Sequence, residues 1–288
     1  MRAIIFLGLV QNIEPLIPRL LKFLASVEAA GISTGCIFGE NGSKDRTREA
    51  LLAISHGRMK VLDTSFMVHI PGRLRRMALG REALQKELDR IPWHFEFVCV
   101  VDWDVLLAEP INPVSFAHAL DQLAARDDIF AVSATSHPTY YDLLAYEDTA
   151  ISFADLPMQA KQAQRDPWTY YRFYSTQVYP AQARLTRSDE LAATSAFNGM
   201  CIYKKDDFAS GSYTTSGNFD ICEHVNLHRS IAGISGKRIA VLPGLSLLAP
   251  REHIHKSLPV FAFFALRKLL TRLSQAPLRK TLARLRRA

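Results

Sequence analysis

The chain of 288 residues lacks the features that would make it a disulfide-stabilised, secreted or membrane-spanning protein. Its four cysteines lie far apart and form no C-x-x-C pair, so neither a disulfide framework nor a cysteine-based zinc site is expected. No apolar run reaches the ~18 residues that a membrane-spanning helix needs. The first apolar run, residues 3–10, is short and no small-residue cleavage pattern follows it, so a secretory start is not expected.

Acidic residues are absent after Glu252, whereas residues 256–288 carry nine of the 35 basic side chains. The preceding 255 residues hold 26 basic and 28 acidic side chains, so the net charge of +7 comes from this tail. A nucleic-acid-binding domain would carry its basic face on the folded body, and we therefore predict no nucleic-acid partner. Basic and apolar residues alternate with helical spacing in the tail. This pattern predicts either attachment of residues 258–288 to an anionic membrane surface or a helix that packs its apolar side on the domain.

Apolar runs alternate with segments of helical periodicity over the first 135 residues. The runs at 3–10, 32–38, 60–62, 95–101 and 129–134 indicate strands, and the segments 13–30, 46–55, 73–88 and 115–125 indicate helices. This alternation predicts an α/β fold with a mostly parallel sheet and helices on both faces. Residues 136–195 show weak periodicity, which predicts a long excursion that shapes a binding site. Strands at 197–203 and 238–242 and a helix near 221–232 complete the pattern.

Two acids follow the fourth apolar run in the segment VVDWDVLL. On an extended chain, Asp102 and Asp104 project to one side and Trp103 to the other. They lie beyond the C-terminal end of a predicted parallel strand, where ligands bind in open α/β sheets. Two close carboxylates suit a hard divalent cation, Mn²⁺ or Mg²⁺, which in turn neutralises a diphosphate. Ordinary strand-end acids in contact with solvent or arginines are the alternative, because a lone D-x-D sequence is common.

The segment GENGSKDRT, residues 39–47, connects the second strand to a helix. Asn41 and Gly42 predict a tight turn, and Ser43 or Asp45 can cap the helix. Glu40 and Asn41 also lie at the predicted sheet edge, where they can hydrogen-bond a base or ribose. The alternative is an ordinary strand–turn–helix connector.

Arginine is unusually dense at the start of the helix over residues 73–88. Arg73 and Arg76 are three residues apart and can share a face, whereas Arg81 points elsewhere on a regular helix. A guanidinium beside a diphosphate is one interpretation, because its fork of donors matches phosphate oxygens. A solvated basic face is the other.

Charged residues also recur with helical spacing near residue 221. Asp220, Glu223, His224 and His228 can lie along one stripe that positions a general base over a reacting hydroxyl. A capped helix with polar outer residues is the alternative.

Two further motifs flank the last strands. Asn198 and Gly199 predict a turn at a strand entrance. His253 and His255 alternate after the final strand and could complete a metal site with the D-x-D carboxylates, or be surface residues.

Taken together, these motifs resemble those of the GT-A glycosyltransferases, nucleotide-sugar enzymes with a Rossmann-like fold. ENGSKDRT resembles the acidic-G-S-x-D-x-T turn of the family 2 enzymes, and Asp102 and Asp104 resemble their D-x-D metal motif. The helix segment RMALGR, residues 76–81, is similar to the R-x-A-x-x-R motif of the fungal capsule-associated α-mannosyltransferases and their bacterial relatives. The similarity covers roughly residues 36–255, excluding the excursion.

The chain departs from the capsule-associated pattern at several positions. Glu82 and Trp103 each stand where that family has asparagine, and Phe197 stands where it has tryptophan. The Glu–Cys order of its last helix is reversed at Cys222 and Glu223.

The resemblance implies a role for each candidate residue. Glu40, Asn41 and Asp45 would border the nucleotide, and Arg76 and Arg81 would approach the diphosphate. Asp102 and Asp104, with His253 or His255, would bind Mn²⁺ or Mg²⁺. Asn198, Gly199 and His224 would bind the acceptor. Glu223 is the candidate base if the reaction inverts configuration, with Asp220 second; in a retaining reaction, Glu223 would bind the acceptor or stabilise positive charge on the sugar.

The resemblance also implies a function and a domain division. Residues 1–255 would form a GT-A domain with an acceptor-side excursion at about 136–195, and residues 256–288 a basic amphipathic tail. The expected activity is metal-dependent transfer of a sugar from a GDP- or UDP-linked donor to a glycan or lipid-linked glycan in cell-surface polysaccharide synthesis. The alternatives are a catalytically silent, membrane-associated module that binds nucleotide sugars, and a related nucleotidyltransferase. The expected location is cytoplasmic, with or without peripheral attachment to the inner face of the membrane.

Overall fold

The computed structural model describes residues 2–214, 216–260, 262, 263 and 266. Its centre is one eight-stranded sheet with the order β3-β2-β1-β4-β7-β5-β8-β6. The strands are β1 (Arg2–Val10), β2 (Ile32–Glu40), β3 (Met59–Asp63), β4 (Phe97–Val101), β5 (Ile129–His137), β6 (Leu191–Ala193), β7 (Met200–Lys204) and β8 (Arg238–Leu248). Strand β7 runs antiparallel to both β4 and β5, and β6 runs antiparallel to β8. The other pairings are parallel.

The central strands are continuous apolar runs because both of their faces are buried. In β1, Ile4 and Phe6 belong to one core cluster, whereas Ile5 and Leu7 belong to the other. The prediction of an α/β fold of Rossmann-like type, with a mostly parallel sheet covered on both faces, is confirmed.

Ten helices surround the sheet in the described part of the chain. They are α1 (Ile17–Ala29), α2 (Thr47–Ala53), α3 (Arg73–Glu87), α4 (Trp103–Leu106), α5 (Pro113–Ala125), α6 (Leu156–Ala163), α7 (Pro167–Phe173), α8 (Tyr179–Leu185), α9 (Lys205–Ser210) and α10 (Glu223–Ser235). Helices α1, α2, α4 and α5 contribute to the first core cluster, and α3, α9 and α10 to the second. The excursion contains α6, α7, α8 and β6, with a π-helical turn, Tyr174–Val178, between α7 and α8.

Several predicted boundaries differ from the structure. The predicted strand 197–203 begins only at Met200, because Asn198 and Gly199 both have positive φ angles, of 51° and 87°, and break the extended chain. The last strand continues to Leu248, beyond the predicted residue 242, with an irregular register where it pairs with β5. Most of the predicted amphipathic tail lies outside the described residues. Among the described residues, no helix is long and apolar enough to cross a membrane.

Candidate active site

The carboxyl-terminal ends of the parallel strands meet at one edge of the sheet. The register pairs Val10 with Glu40 at the ends of β1 and β2. It pairs Val101, the last residue of β4, with Met200, the first residue of the antiparallel strand β7. The residues that follow β1, β2 and β4 and those that precede β7 therefore share this edge, which is where open α/β sheets bind ligands.

Trp103 fixes the position of the D-x-D segment. It is 1% exposed, and its ring packs against Phe6, Phe23 and Phe38 at centroid distances of 5.6, 6.5 and 5.8 Å. Gly8 is required beneath it, because a Cβ there would lie 2.3 Å from the indole nitrogen. The indole anchors the start of α4 in the core.

The prediction that Asp102 and Asp104 project to one side of an extended strand is wrong. Asp102 is the last extended residue, and the chain turns into α4 at Trp103. The helical turn allows the large apolar indole to enter the core while both acids stay at the edge. The Asp102 carboxylate is 34% exposed, and Asp104 is exposed.

A buried arginine joins Asp102 to Glu223. The Arg81 side chain is 3% exposed; its Nη2 donates to Asp102 Oδ1 at 2.8 Å, and its Nε donates to Glu223 Oε1 at 3.2 Å. Its guanidinium carbon lies 5.0 Å from the centroid of the Phe197 ring. Burial acts to lower the pKa of Arg81, but the charges of Asp102 and Glu223 outweigh it and raise the pKa, so the guanidinium stays charged. We call Asp102, Arg81 and Glu223 the buried triad.

The position of Arg81 corrects its predicted role. Because it is enclosed and bound to two carboxylates, it is not available to a diphosphate in this conformation. Its Nη1 atom is also buried and has no partner among the described residues. The geometry instead makes Arg81 the residue that fixes Asp102 and Glu223 relative to each other.

Two more carboxylates lie within electrostatic reach of the triad. The pKa of Asp104 is raised, first by desolvation from the surrounding protein atoms and then by the charge of Asp102. The pKa of Asp142 is raised to about 7, first by burial and then by the charges of Asp102 and Glu223. The candidate site thus holds more negative charge than Arg81 neutralises.

Asp142 was not predicted, because it lies in the excursion, where no periodicity marks a strand end. Asn198 holds it in place: the Asn198 Oδ1 accepts the backbone N–H groups of Tyr141 and Asp142, each at 3.2 Å. The next residue, Gly199, accepts the backbone N–H of Asp102 at 2.9 Å. The Asn198–Gly199 turn therefore positions the backbone of both acids. Asn198 is fully buried, so the prediction that it contacts an acceptor is replaced by this supporting role, and Gly199 shares it.

The predicted stripe of charged residues on α10 is wrong in two respects. Asp220 lies before the helix in an exposed loop, because α10 begins only at Glu223. His224 and His228 point into the core, with exposures of 2% and 0%. The His224 ring stacks on Phe197 at a centroid distance of 3.6 Å, and burial followed by the charge of Arg81 lowers its pKa well below the usual value. A buried neutral ring cannot contact an acceptor, so the predicted role of His224 is corrected to packing.

Glu40 and Asp45 organise the loop after β2. The Glu40 side chain is buried; its Oε1 accepts the backbone N–H of Ser43 and its Oε2 accepts from Arg48 Nε, both at 2.6 Å. Asp45 Oδ1 accepts the N–H of Thr47, the first residue of α2, at 3.0 Å, which confirms the predicted cap. In this conformation both carboxylates are used to shape the loop, so the prediction that they contact a nucleotide directly is corrected for Glu40, which has no free oxygen.

Asn41 has an unused polar atom at the same edge. Its backbone N–H donates to Val10 and its carbonyl accepts from Gln11 Nε2 at 2.7 Å. Its side-chain oxygen is buried and has no hydrogen-bond partner among the described residues. Asn41 is therefore the residue of this loop with spare capacity for a ligand.

The arginines at the start of α3 differ from Arg81. Arg73 and Arg75 are exposed and Arg76 is half-buried, and no ion pair among the described residues involves them. The charge of Arg73 acts on both Asp142 and His253, so Arg73 lies beside the acidic cluster. These side chains are open to a ligand as predicted for Arg76.

The two histidines after β8 lie apart. The His253 ring is 5.4 Å from the ring of Tyr141, whose own pKa is raised by burial and then by Asp102. His255 packs against Tyr179 in the excursion at 4.3 Å. Of the two, only His253 has a structural link to the acidic cluster.

The donor chemistry of the edge fits a hard divalent cation. Asp102 keeps its Oδ2 atom outside the bond to Arg81, Asp104 is exposed, and the surplus negative charge raises the pKa of both Asp104 and Asp142. Such oxygen donors are those that Mg²⁺ and Mn²⁺ prefer. The described residues contain no ready-made group of three or more His, Cys, Asp or Glu side chains that could hold a metal ion. The set of Asp102, Asp104, His253 and His255 therefore stays a prediction.

The fold and the site together define a Rossmann-like α/β protein with a charged cleft at the carboxyl edge of its sheet. No protein-family model matches the chain, and no curated protein matches it. Among solved structures it is similar to glucosyl-3-phosphoglycerate synthase from Mycobacterium tuberculosis in complex with Mn²⁺, UDP and glucosyl-3-phosphoglycerate, with a TM-score of 0.49 and 14% identity, over 95% of this chain and 80% of that chain. The complex of that enzyme with Mn²⁺ and UDP-glucose gives a TM-score of 0.46 and 13% identity, over 95% and 79% of the two chains. The function is therefore argued from the residues of this chain.

Proposed function

We propose that this protein is a metal-dependent glycosyltransferase of the GT-A type that uses a nucleotide-sugar donor. The observation that carries the proposal is the convergence of Asp102, Asp104, Asp142 and Glu223 around one buried arginine at the carboxyl edge of the sheet. A surplus of carboxylates beside a loop with an unused amide oxygen suits a divalent cation and the nucleoside diphosphate that it accompanies.

The residues of the edge would divide the work as follows. Asn41 would hydrogen-bond the nucleoside, and Arg73 and Arg76 would lie against the diphosphate, where guanidinium donors match phosphate oxygens. Asp102 and Asp104 would hold Mn²⁺ or Mg²⁺, with His253 as the nearer histidine. When bound, the cation would neutralise the charge that develops on the leaving diphosphate.

Glu223 is not placed to act as a base on an acceptor, because it is 6% exposed and bound to Arg81. Asp142 is better placed: it borders the acidic cluster, and a pKa of about 7 suits a general base at neutral pH. In an inverting reaction Asp142 would accept the proton of the attacking hydroxyl. In a retaining reaction the triad would instead stabilise positive charge on the sugar.

The acceptor remains a glycan or lipid-linked glycan in our proposal, with cytoplasmic chemistry in cell-surface polysaccharide synthesis and peripheral attachment through residues 258–288. The basic composition of that tail supports it. The enclosed position of Glu223 also favours a second candidate, a module that binds nucleotide sugars without transferring them.

A ligand screen followed by a turnover assay distinguishes the candidates. Thermal shift is measured with UDP, GDP and their sugars, with Mn²⁺ or with EDTA, and hydrolysis of the stabilising donor is then followed. A Mn²⁺-dependent shift with donor hydrolysis supports the transferase. A shift without hydrolysis supports the binding module, and no shift with any nucleotide contradicts both.

A further inference from the structure

The excursion forms a polar groove that shares no residue with the cleft at the sheet edge. The groove lies between α6 and α7 and has a volume of about 700 Å³. It is lined by Gln159, Gln162, Ala163, Arg165, Asp166, Thr169, Arg172, Phe173, Thr176 and Gln177. We call it the α6–α7 groove. Its volume lies in the range of small-molecule sites, roughly 300–1,000 Å³.

The floor of the groove is apolar and its walls are polar. Ala163 and Phe173 are each 7% exposed and belong to the second core cluster, so they fix α6 and α7 to the body of the domain. The groove is therefore a surface of the folded domain with a supported base.

The polar side chains of the walls have unused hydrogen-bonding capacity. Within the described part of the chain, no hydrogen bond or ion pair engages the side chains of Gln159, Gln162, Arg165, Arg172 or Gln177. Three amides and two guanidinium groups thus face one space without a protein partner.

The one carboxylate of the groove is already used. Asp166 caps α7, where its Oδ1 accepts the backbone N–H of Thr169 at 2.8 Å, and this hydrogen bond is the first cause of its lowered pKa. With two arginines and one acid, the groove carries a net positive charge. An anionic ligand is therefore favoured over a cationic one, including the basic tail of this chain.

The donors in the walls match a ligand that combines an anion with hydroxyl groups. Guanidinium groups bind phosphate oxygens in a bidentate manner, and the glutamine amides can both donate to and accept from hydroxyls. Trp168 is 62% exposed and stands one helical turn before Arg172, so its ring lies at the rim of the groove. A flat exposed indole offers an apolar face with one polar edge, which suits the C–H face of a sugar ring.

We propose that the α6–α7 groove binds a saccharide that carries a phosphate group, either free in solution or as the headgroup of a lipid. Arg165 and Arg172 bind the phosphate, the glutamines bind the hydroxyls, and Trp168 covers the sugar ring. This inference does not depend on the transferase proposal, because the groove and the sheet edge have no residue in common.

Isothermal titration of the full chain with glucose 1-phosphate, without divalent metal, tests the soluble form of the ligand. The double variant Arg165→Gln/Arg172→Gln is expected to bind about tenfold more weakly or worse, because two charge-assisted contacts are lost. The matched control is Lys22→Gln/Arg184→Gln, which removes the same charge from exposed residues outside the groove and is expected to bind like the original chain. Inorganic phosphate and glucose, each alone, are expected to bind more weakly than glucose 1-phosphate.

Sedimentation with phosphatidylinositol vesicles tests the lipid form with the same variants. Binding to either probe that is lost in the groove variant and kept in the control supports the proposal. No binding to either probe, or equal losses in the two double variants, overturns it. Equal affinities for inorganic phosphate and glucose 1-phosphate overturn the saccharide assignment. Circular dichroism of each variant shows that a lost affinity is not a lost fold.

Discussion

Replacement of Arg81 by methionine tests the buried triad. The guanidinium is 3% exposed and is bound to Asp102 and to Glu223. Methionine keeps much of the length and the apolar contacts of the side chain but removes the charge. Glu223, which is 7% exposed, then becomes a buried carboxylate without its counter-ion, whereas Asp102, at 34% exposure, is partly solvated by water.

Loss of one partner from a buried ion pair lowers the free energy of unfolding by about 3–5 kcal/mol. We expect this loss for Arg81→Met, with a fall in Tm of roughly 6–20 °C for a domain of this size. Most of the cost arises at Glu223, so the double variant Arg81→Met/Glu223→Gln is expected to regain more than half of it, because glutamine carries no charge.

Urea unfolding at pH 7, followed by circular dichroism, measures both effects. Arg73→Met is the matched control, because it makes the same change on the same helix at an exposed arginine with no ion pair among the described residues. Its free energy of unfolding should change by less than about 1 kcal/mol. A loss of less than about 1 kcal/mol for Arg81→Met, or a double variant no more stable than the single one, would refute the reasoning.

Three further substitutions test other parts of the site. The pKa of Asp142 is raised to about 7 in the folded state, first by burial and then by two neighbouring carboxylates, so stability falls as the pH rises from about 4 to 7. Asp142→Asn should remove this slope and add roughly 2–4 kcal/mol to the free energy of unfolding above pH 7, whereas equal slopes in urea unfolding at pH 5 and pH 8 would contradict the burial of that charge. His224 is neutral and neither ring nitrogen has a hydrogen-bond partner among the described residues, so His224→Phe should leave the free energy of unfolding unchanged or raise it by about 1–2 kcal/mol; a loss of that size would show that a partner exists. Gly199 has a φ of 87°, and an added Cβ would lie 2.6 Å from the Tyr141 hydroxyl, so Gly199→Ala should lower the free energy of unfolding by about 1–3 kcal/mol; a fully stable variant would show that the turn can relax.

The elements of the first 135 residues could be predicted because each parallel strand is buried on both faces. An interior strand must then be apolar throughout, as in FVCVV of β4, and the helices between such strands need one apolar face. The excursion could not be predicted in detail. Its helices are short, and their buried residues contact neighbours from other parts of the chain, as Gln182 does when it donates to the His253 carbonyl.

The location of the site also followed from the sequence, because strand ends identify the sheet edge. The directions of its side chains did not. Arg81 looked like one member of a basic helix, and its partners Glu223 and Asp102 are 142 and 21 positions away, so no local pattern marks it as buried. Trp103 gave a signal that local spacing could not interpret, since an indole between two acids can enter the core only if the chain turns. Asp142 gave no signal, because its raised pKa depends on charges brought together by folding.

The central claim is that Asp102 and Asp104 bind a divalent cation together with a nucleoside diphosphate. Isothermal titration of UDP and GDP into the full chain, with Mn²⁺ or with EDTA, tests it directly when Asp104→Asn is compared with Asp206→Asn, a change at an exposed acid on α9. We predict that one nucleotide binds only with Mn²⁺, and that binding is lost in Asp104→Asn but kept in Asp206→Asn. Nucleotide binding of equal strength in EDTA, or in the Asp104→Asn variant, would contradict the claim.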